Sequence, residues 1–406
     1  MRVLVVRAGL AAALLPAAAG AQTLSLTESQ ALTRLSTESP RVQTIRAVVE
    51  MARADILVAG RWPNPRVTYD REAVAGLTEN YVMVAQTLPI TGRRRFDVAA
   101  ASARLEASAS RADDQVRRLR ADLRLAFTDL WMAQTREREL ARSRDRLREL
   151  ADVLGRREAA GESAGFDRLR AQREVIDIEA DRAMAASDGA RARGVLVSFF
   201  AAAPDAGLIE AVQEERPVAA LLSVDELVAH AESRSAFVAL QRELDAAAFA
   251  ERAAARRVVP EPEVVAGTKS SNIGTGGVGS IVGVHVSVPL FDRARPERAV
   301  ALARAAQVRA ETEALRLGVR AQIAAWRTAV VERRAIAAEY REAVTAGVAQ
   351  IERIAQVSYE AGERGILELL DAHRTTSTAR VRQAVLDAAV REAEIELEFV
   401  SGWEMP

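Results

Sequence analysis

The sequence predicts a mainly α-helical protein with a small β part, built from two copies of one helix–hairpin–long helix–turn–helix unit. Three observations predict it. Two proline-bounded stretches of strand character interrupt an otherwise helical chain. The second stretch repeats the first roughly 200 residues later. Long proline-free runs follow, and the first of them carries a seven-residue apolar period.

The first stretch runs from Arg61 to Arg95. Pro63 and Pro65 bar a regular helix at its start, and Pro89 and Gly92 at its end. Between them lie two runs of strand character joined by the turn-like Ala75–Asn80, a predicted β-hairpin. The echo lies in Arg257 to Arg295. Pro63-Asn64-Pro65 returns as Pro260-Glu261-Pro262, and Leu88-Pro89-Ile90 as Val288-Pro289-Leu290. Downstream, Ala160-Gly161-Glu162 returns as Ala361-Gly362-Glu363.

The organisation follows from this repeat. Residues 1–21 read as a secretory signal, with Arg2 and Arg7 ahead of an apolar run and Ala19-Gly20-Ala21 at the cleavage position. Residues 22–215 form the first repeat, with strands about 66–75 and 80–88 and a turn about 155–165. Residues 216–406 form the second, with strands about 263–270 and 280–288 and a turn about 360–366.

Each helix has its own signal. Thr27 caps a helical segment broken near Pro40 and ending by Arg61. From Arg93 to Arg157, Leu105, Ala112, Leu119, Ala126, Ala133, Leu140, Leu147 and Leu154 recur every seventh residue. Ala109, Val116, Leu123, Leu130 and Ala151 fill most of a second seam, interrupted by Glu137 and Arg144. At 1.5 Å per residue this helix is roughly 95 Å long. Phe166 to Phe199 resumes as helix. Ser223 or Asp225 starts another that runs to about Arg257. Pro296 opens a second long helix to about Tyr359, and Ile366 to Val400 closes the chain.

The 56 basic and 56 acidic side chains are interspersed, which removes the basic stripe that nucleic acid needs. No cysteine is present, so disulfides, thiolate chemistry and acylated cysteine are excluded. No later run has the apolar length of a membrane helix, so any membrane crossing must use strands. The strand pattern suits that. Val67, Tyr69, Val82, Val84, Val282, Val284, Val286 and Val288 alternate with mainly polar or small residues, one face for lipid and one for water. Four strands cannot close a barrel, and open edges are forbidden in lipid, so several chains must share one. The alternative is a soluble periplasmic coiled-coil scaffold or adaptor, with both hairpins lying on a helical body.

Apparent chemistry dissolves on inspection. Gly274 to Gly279 matches G-x-G-x-x-G, but a strand follows where a nucleotide site needs a helix. His230, His285 and His373 fall on separate elements without metal-ligand spacing. Asp113-Asp114 and the run Glu392, Glu394, Glu396, Glu398 read as solvated faces. Nothing supports an enzyme, a metal site or a cofactor.

These residues resemble the TolC-type outer membrane factors, the exit ducts of bacterial tripartite efflux pumps and type I secretion systems. The resemblance rests on Trp62-Pro63-Asn64-Pro65, Gln86-Thr87-Leu88-Pro89 with Gly92-Arg93-Arg94, Val288-Pro289-Leu290-Phe291-Asp292, Tyr359-Glu360-Ala361-Gly362 and Leu367 to Ala372, in duplicated order across the mature chain. The hairpin strings are most similar to the outer membrane components of cobalt-zinc-cadmium resistance systems. The resemblance implies a homotrimer with a twelve-stranded transmembrane barrel on a long α-helical periplasmic tunnel. It implies a passive channel in the outer membrane, with divalent metal cations among its substrates. Its partners would be outer membrane lipid, a periplasmic adaptor and, indirectly, an inner-membrane pump. The adaptor would meet periplasmic tips at Gly161, Glu162, Gly362, Glu363 and Gly365. A gate would involve Asp167, Glu368 and Asp371. Arg170 stands where the repeat matches Asp371, a departure from an acidic gate in both halves.

Overall fold

A computed structural model describes residues 24–161, 165–201, 209–214, 216–291 and 293–405. The predicted signal segment 1–21 lies outside them. The chain order is β1 (Leu24–Leu26), α1 (Glu28–Arg34), α2 (Pro40–Ala59), β2 (Arg66–Val74), β3 (Leu77–Thr87), α3 (Arg93–Ala159), α4 (Gly165–Val197), β4 (Ile209–Ala211), α5 (Val224–Glu232), α6 (Ser235–Arg256), β5 (Pro262–Ser271), β6 (Gly277–Val286), α7 (Arg295–Glu360) and α8 (Ile366–Ser401).

The two long helices dominate. α3 has 67 residues and α7 has 66, so each spans about 100 Å. Of the eight residues in the first α3 seam, all but Leu105 are buried. Leu147 and Leu154 are at most 1 % exposed, and full burial of such a side chain stabilises by about 1.5–3 kcal/mol. The two residues that interrupt the second seam pair with α4. Arg144 lies 3.2 Å from Glu179, and Glu137 lies 3.5 Å from Arg182. The interruption is therefore where α3 is tied sideways to its neighbour.

Three cores string along this length. Near the middle, α1, α2, α3 and the end of α4 bury Leu123, Leu130, Leu196 and Ile209. Farther along, α3, α4 and α8 bury Leu147, Leu154, Ala171 and Leu369. The third joins α5, α7 and α8 around Leu227, Ile323, Val330 and Leu397. No helix among the described residues is long and apolar enough to cross a membrane.

Several sequence expectations need correction. The first hairpin turns in two residues, not six. Ala75 and Gly76 take φ of 51° and 83°, the left-handed pair that matches strand twist. Leu77 to Asn80 are thereby free to ladder against Arg71 to Val74, so β3 begins three residues earlier than expected. β6 likewise starts at Gly277 and ends at Val286, leaving Val288 beyond the strand. The turn placed at 155–165 is shorter, because α3 runs through Gly155 to Ala159. The helix expected from Ser223 to Arg257 breaks at Ser233-Arg234. Ser223 does cap it, in a reciprocal box with Glu226.

One element escaped sequence reading. β1 and β4 pair in parallel, Leu24 opposite Ile209 and Leu26 opposite Ala211. Gln134 of α3 satisfies this small sheet from the side. Its Nε2 donates to the Ile209 carbonyl at 3.3 Å, and its Oε1 accepts from the Ala211 N–H at 3.0 Å.

Candidate functional site

The four longer strands form one antiparallel sheet in the order β2-β3-β5-β6. The register decides which side chains share a face, because directly paired residues point the same way. Val67 pairs with Val84, Val84 with Ala266, and Ala266 with Val282. Tyr69 pairs with Val82, and Val264 with Val284. All seven in-strand positions expected to face lipid therefore lie on one face. They are open to solvent, from 44 % at Val84 to 80 % at Val282. The only ionisable group on that face besides the Tyr69 phenol is Arg71, near the hairpin end.

The opposite face carries most of the charge, and part of it is paired. Arg66 meets Glu263 at 3.0 Å, and Lys269 meets Glu79 at 2.7 Å. His285 stands directly across from Glu263, with Nδ1 at 3.8 Å. Small residues also gather here, as Gly277, Gly279 and Gly283 alternate along β6. The glycine-rich motif resolves into hairpin geometry. Gly274 and Gly276 take φ of 64° and 72° in the connection before β6, a strand-to-strand turn with no helix to receive a phosphate.

The other candidate region is where the long helices turn back. Gly161 and Gly362 follow the last helical residues with φ of 77° and 75°. The Gly362 N–H donates to the Tyr359 carbonyl and the Glu363 N–H to the Ser358 carbonyl, a Schellman closure that needs φ > 0 at the glycine. Gly161 makes the matching bond to Glu158. A side chain at either glycine would enter open space, so only backbone strain opposes it. Gly365 differs. Its φ of −85° is ordinary, and it precedes the first turn of α8. Glu162 lies outside the described residues.

Both turns lie at one end, held by the core that contains Leu154, Ala171 and Leu369, with Tyr359 packed against it. Arg374 of α8 reaches Glu174 of α4 at 2.7 Å. Burial pushes the Tyr359 phenol up, and the Asp167 carboxylate adds to the shift. Asp167 is thus brought beside the α7 terminus. Glu368 and Asp371, three apart on α8, are exposed on the side away from Leu369 and Leu370, and Arg170 is exposed on α4.

Two polar clusters were missed by sequence reading. The run Glu392, Glu394, Glu396 and Glu398 of α8 is not a solvated face. Glu398 is 5 % exposed and bonds Arg124. Glu396 meets Arg118 at 2.8 Å, and Glu394 meets Arg334 at 2.6 Å. Of these four, only Glu392 is exposed, though it also meets Arg333. Second, Glu28 of α1 is 6 % exposed among Arg124 at 2.6 Å, Arg391 at 2.8 Å and Arg216 at 3.2 Å. The arginine spacing on α3 was the available signal, since Arg117 and Arg124 recur a heptad apart, off the two apolar seams. No cluster of three or more metal-ligating side chains occurs among the described residues.

No family model matches the chain. It is similar to the cobalt-zinc-cadmium resistance protein CzcC of Cupriavidus metallidurans, with 25 % identity over 289 residues, 70 % of this chain and 68 % of that protein. Its fold superposes on the outer membrane channel CmeC of Campylobacter jejuni with a TM-score of 0.76 at 11 % identity, covering 99 % of this chain and 94 % of that one. The outer membrane protein VceC of Vibrio cholerae gives 0.73 at 17 % identity, covering 93 % and 97 %. The chain thus has the fold of these solved outer membrane channels.

Proposed function

We propose that this chain is the outer membrane exit duct of a tripartite efflux pump, carrying substrate from a periplasmic adaptor and inner-membrane transporter to the cell exterior without chemistry of its own. One observation carries the reading: a four-stranded sheet with an apolar, solvent-open face, a charged face and two unpaired edges. In hydrocarbon those edges must be paired. Strands alternate in direction across the sheet, so β6 of one copy runs antiparallel to β2 of the next. Three copies give twelve strands, an even number within the range of outer membrane barrels. The face bearing Arg66, Glu263, Lys269 and His285 then lines a water-filled lumen, while Val67, Tyr69, Val82, Val84, Val282, Val284 and Val286 meet lipid. A soluble scaffold would leave that apolar face without a use.

The long helices extend the duct through the periplasm. Gly161 and Gly362 close the turns that meet the adaptor, and Asp167, Glu368 and Asp371 stand beside them as gate residues. Residues 1–21 direct secretion, and the two repeats, 22–215 and 216–406, each supply one hairpin. The relative's name points to divalent cations as cargo. The test is a mass measurement of the detergent-solubilised full chain. Three copies per particle are expected. A stable monomer with an intact strand signal would refute the shared barrel.

A further inference from the structure

All four joints between sheet and helices lie at one end, since Arg66 pairs with Ala85, Thr87 with Glu263 and Pro262 with Val286. Apolar side chains stand out into solvent there. Ile90 is 71 % exposed, Leu290 65 % and Phe291 99 %. Exposed apolar side chains of this kind mark a contact surface, and Ile90 and Leu290 follow the ends of β3 and β6 in the same alternate register as Val82, Val84, Val284 and Val286. The same joints are basic. Segments 61–65, 88–97, 256–262 and 287–297 hold eight arginines and four carboxylates, in a chain whose 56 basic and 56 acidic groups balance overall. Arg93 and Arg257 are paired with Glu261 and Glu297. Arg95, Arg293 and Arg295 are exposed.

We propose that these joints form a collar for anionic phospholipid of the periplasmic leaflet, in which Ile90, Leu290 and Phe291 enter the acyl region and Arg95, Arg293 and Arg295 take the phosphates. The proposal rests on the barrel reading, which puts the joint end at that leaflet. Charge complementarity selects a phosphate-bearing surface, and continuity with the apolar face selects a lipid over a soluble anion.

The test uses the full chain in vesicles of phosphatidylcholine alone and of phosphatidylcholine with phosphatidylglycerol, with retained lipids counted by native mass spectrometry. Phosphatidylglycerol is expected to be retained preferentially at low salt and to lose its advantage at high salt. Each of R95Q, R293Q and R295Q lowers the preference about five-fold. The three lysine replacements keep it, as does R71Q at the hairpin end. Phe291→Ser lowers retention of both lipids. Equal retention of the two lipids by the unaltered chain would overturn the collar, as would a preference untouched by the glutamine variants or equally reduced by R71Q. Failure to enter either vesicle would refute the barrel reading and the collar with it.

Discussion

A charge at Val282 tests the membrane face most directly. Val282 lies at the middle of β6, is 80 % exposed, and pairs with Ala266 on the apolar face. β6 has ten residues, about 33 Å of strand, which at a 45° tilt spans close to the ~25 Å apolar band of such barrels. Val282→Arg therefore places a guanidinium near the midplane, at about 2–4 kcal/mol per copy. In a trimer the cost is roughly 6–12 kcal/mol, comparable to the whole stability of a typical domain. Val284, two residues nearer the strand end, costs less because the penalty falls toward the interfaces. His285 belongs to the other face and already stands 3.8 Å from Glu263, so His285→Arg gains a partner in water. The assay is the yield of heat-resistant oligomer extracted from outer membranes. The expected order is His285→Arg close to wild type, Val284→Arg reduced and Val282→Arg lowest. Equal yields for all three would show that the faces are misassigned.

Three further outcomes follow from the helical body. Gly362→Asp strains a residue at φ 75° by about 1 kcal/mol but meets no atom; oligomer should persist while cross-linking to an adaptor and efflux are lost, and full efflux would remove this turn from the docking surface. Glu28→Ala removes the carboxylate shared by Arg124, Arg391 and Arg216, leaving Arg124 to Glu398 and Arg391 to Glu394, and should cost about 1.5–3 kcal/mol, read as a lower midpoint in thermal circular dichroism; an unchanged midpoint would show that the remaining carboxylates already satisfy these arginines. Burial holds the His373 imidazole below its ordinary 6.5, with Arg146 acting the same way and Glu352, 3.2 Å from Nδ1, opposing both; the folded chain thus binds this proton less readily than the unfolded one, stability falls as pH drops below about 6.5, and His373→Gln should flatten that part of the pH–stability curve.

How much was legible follows the range of each interaction. The heptad positions from Ala112 to Leu154 are local in sequence, and their period alone named the buried stripe of α3. Alternation within Val282, Val284 and Val286 likewise set one face of β6 before any partner was known. Gly161 and Gly362 were legible as turn residues because a helix C-terminus has its own backbone chemistry. Turn length was harder. Ala75-Gly76 closes in two residues because Leu77 to Asn80 find partners in β2, a gain that composition does not reveal. The glutamates of α8 were misread because solvation and ion pairing look alike in sequence, and only α3 and α7 laid beside them supply Arg118, Arg124 and Arg334.

The sequence by itself determined the duplicated plan, the long helices and the one-sided strands, because each depends on periodicity within a segment. Tertiary structure decided the strand order β2-β3-β5-β6, the parallel pairing of Leu24–Leu26 with Ile209–Ala211 and the burial of Glu28 among three arginines. Those contacts join residues as much as 363 positions apart, where no local pattern favours one partner over another and only the packed geometry of the long helices brings the groups within reach.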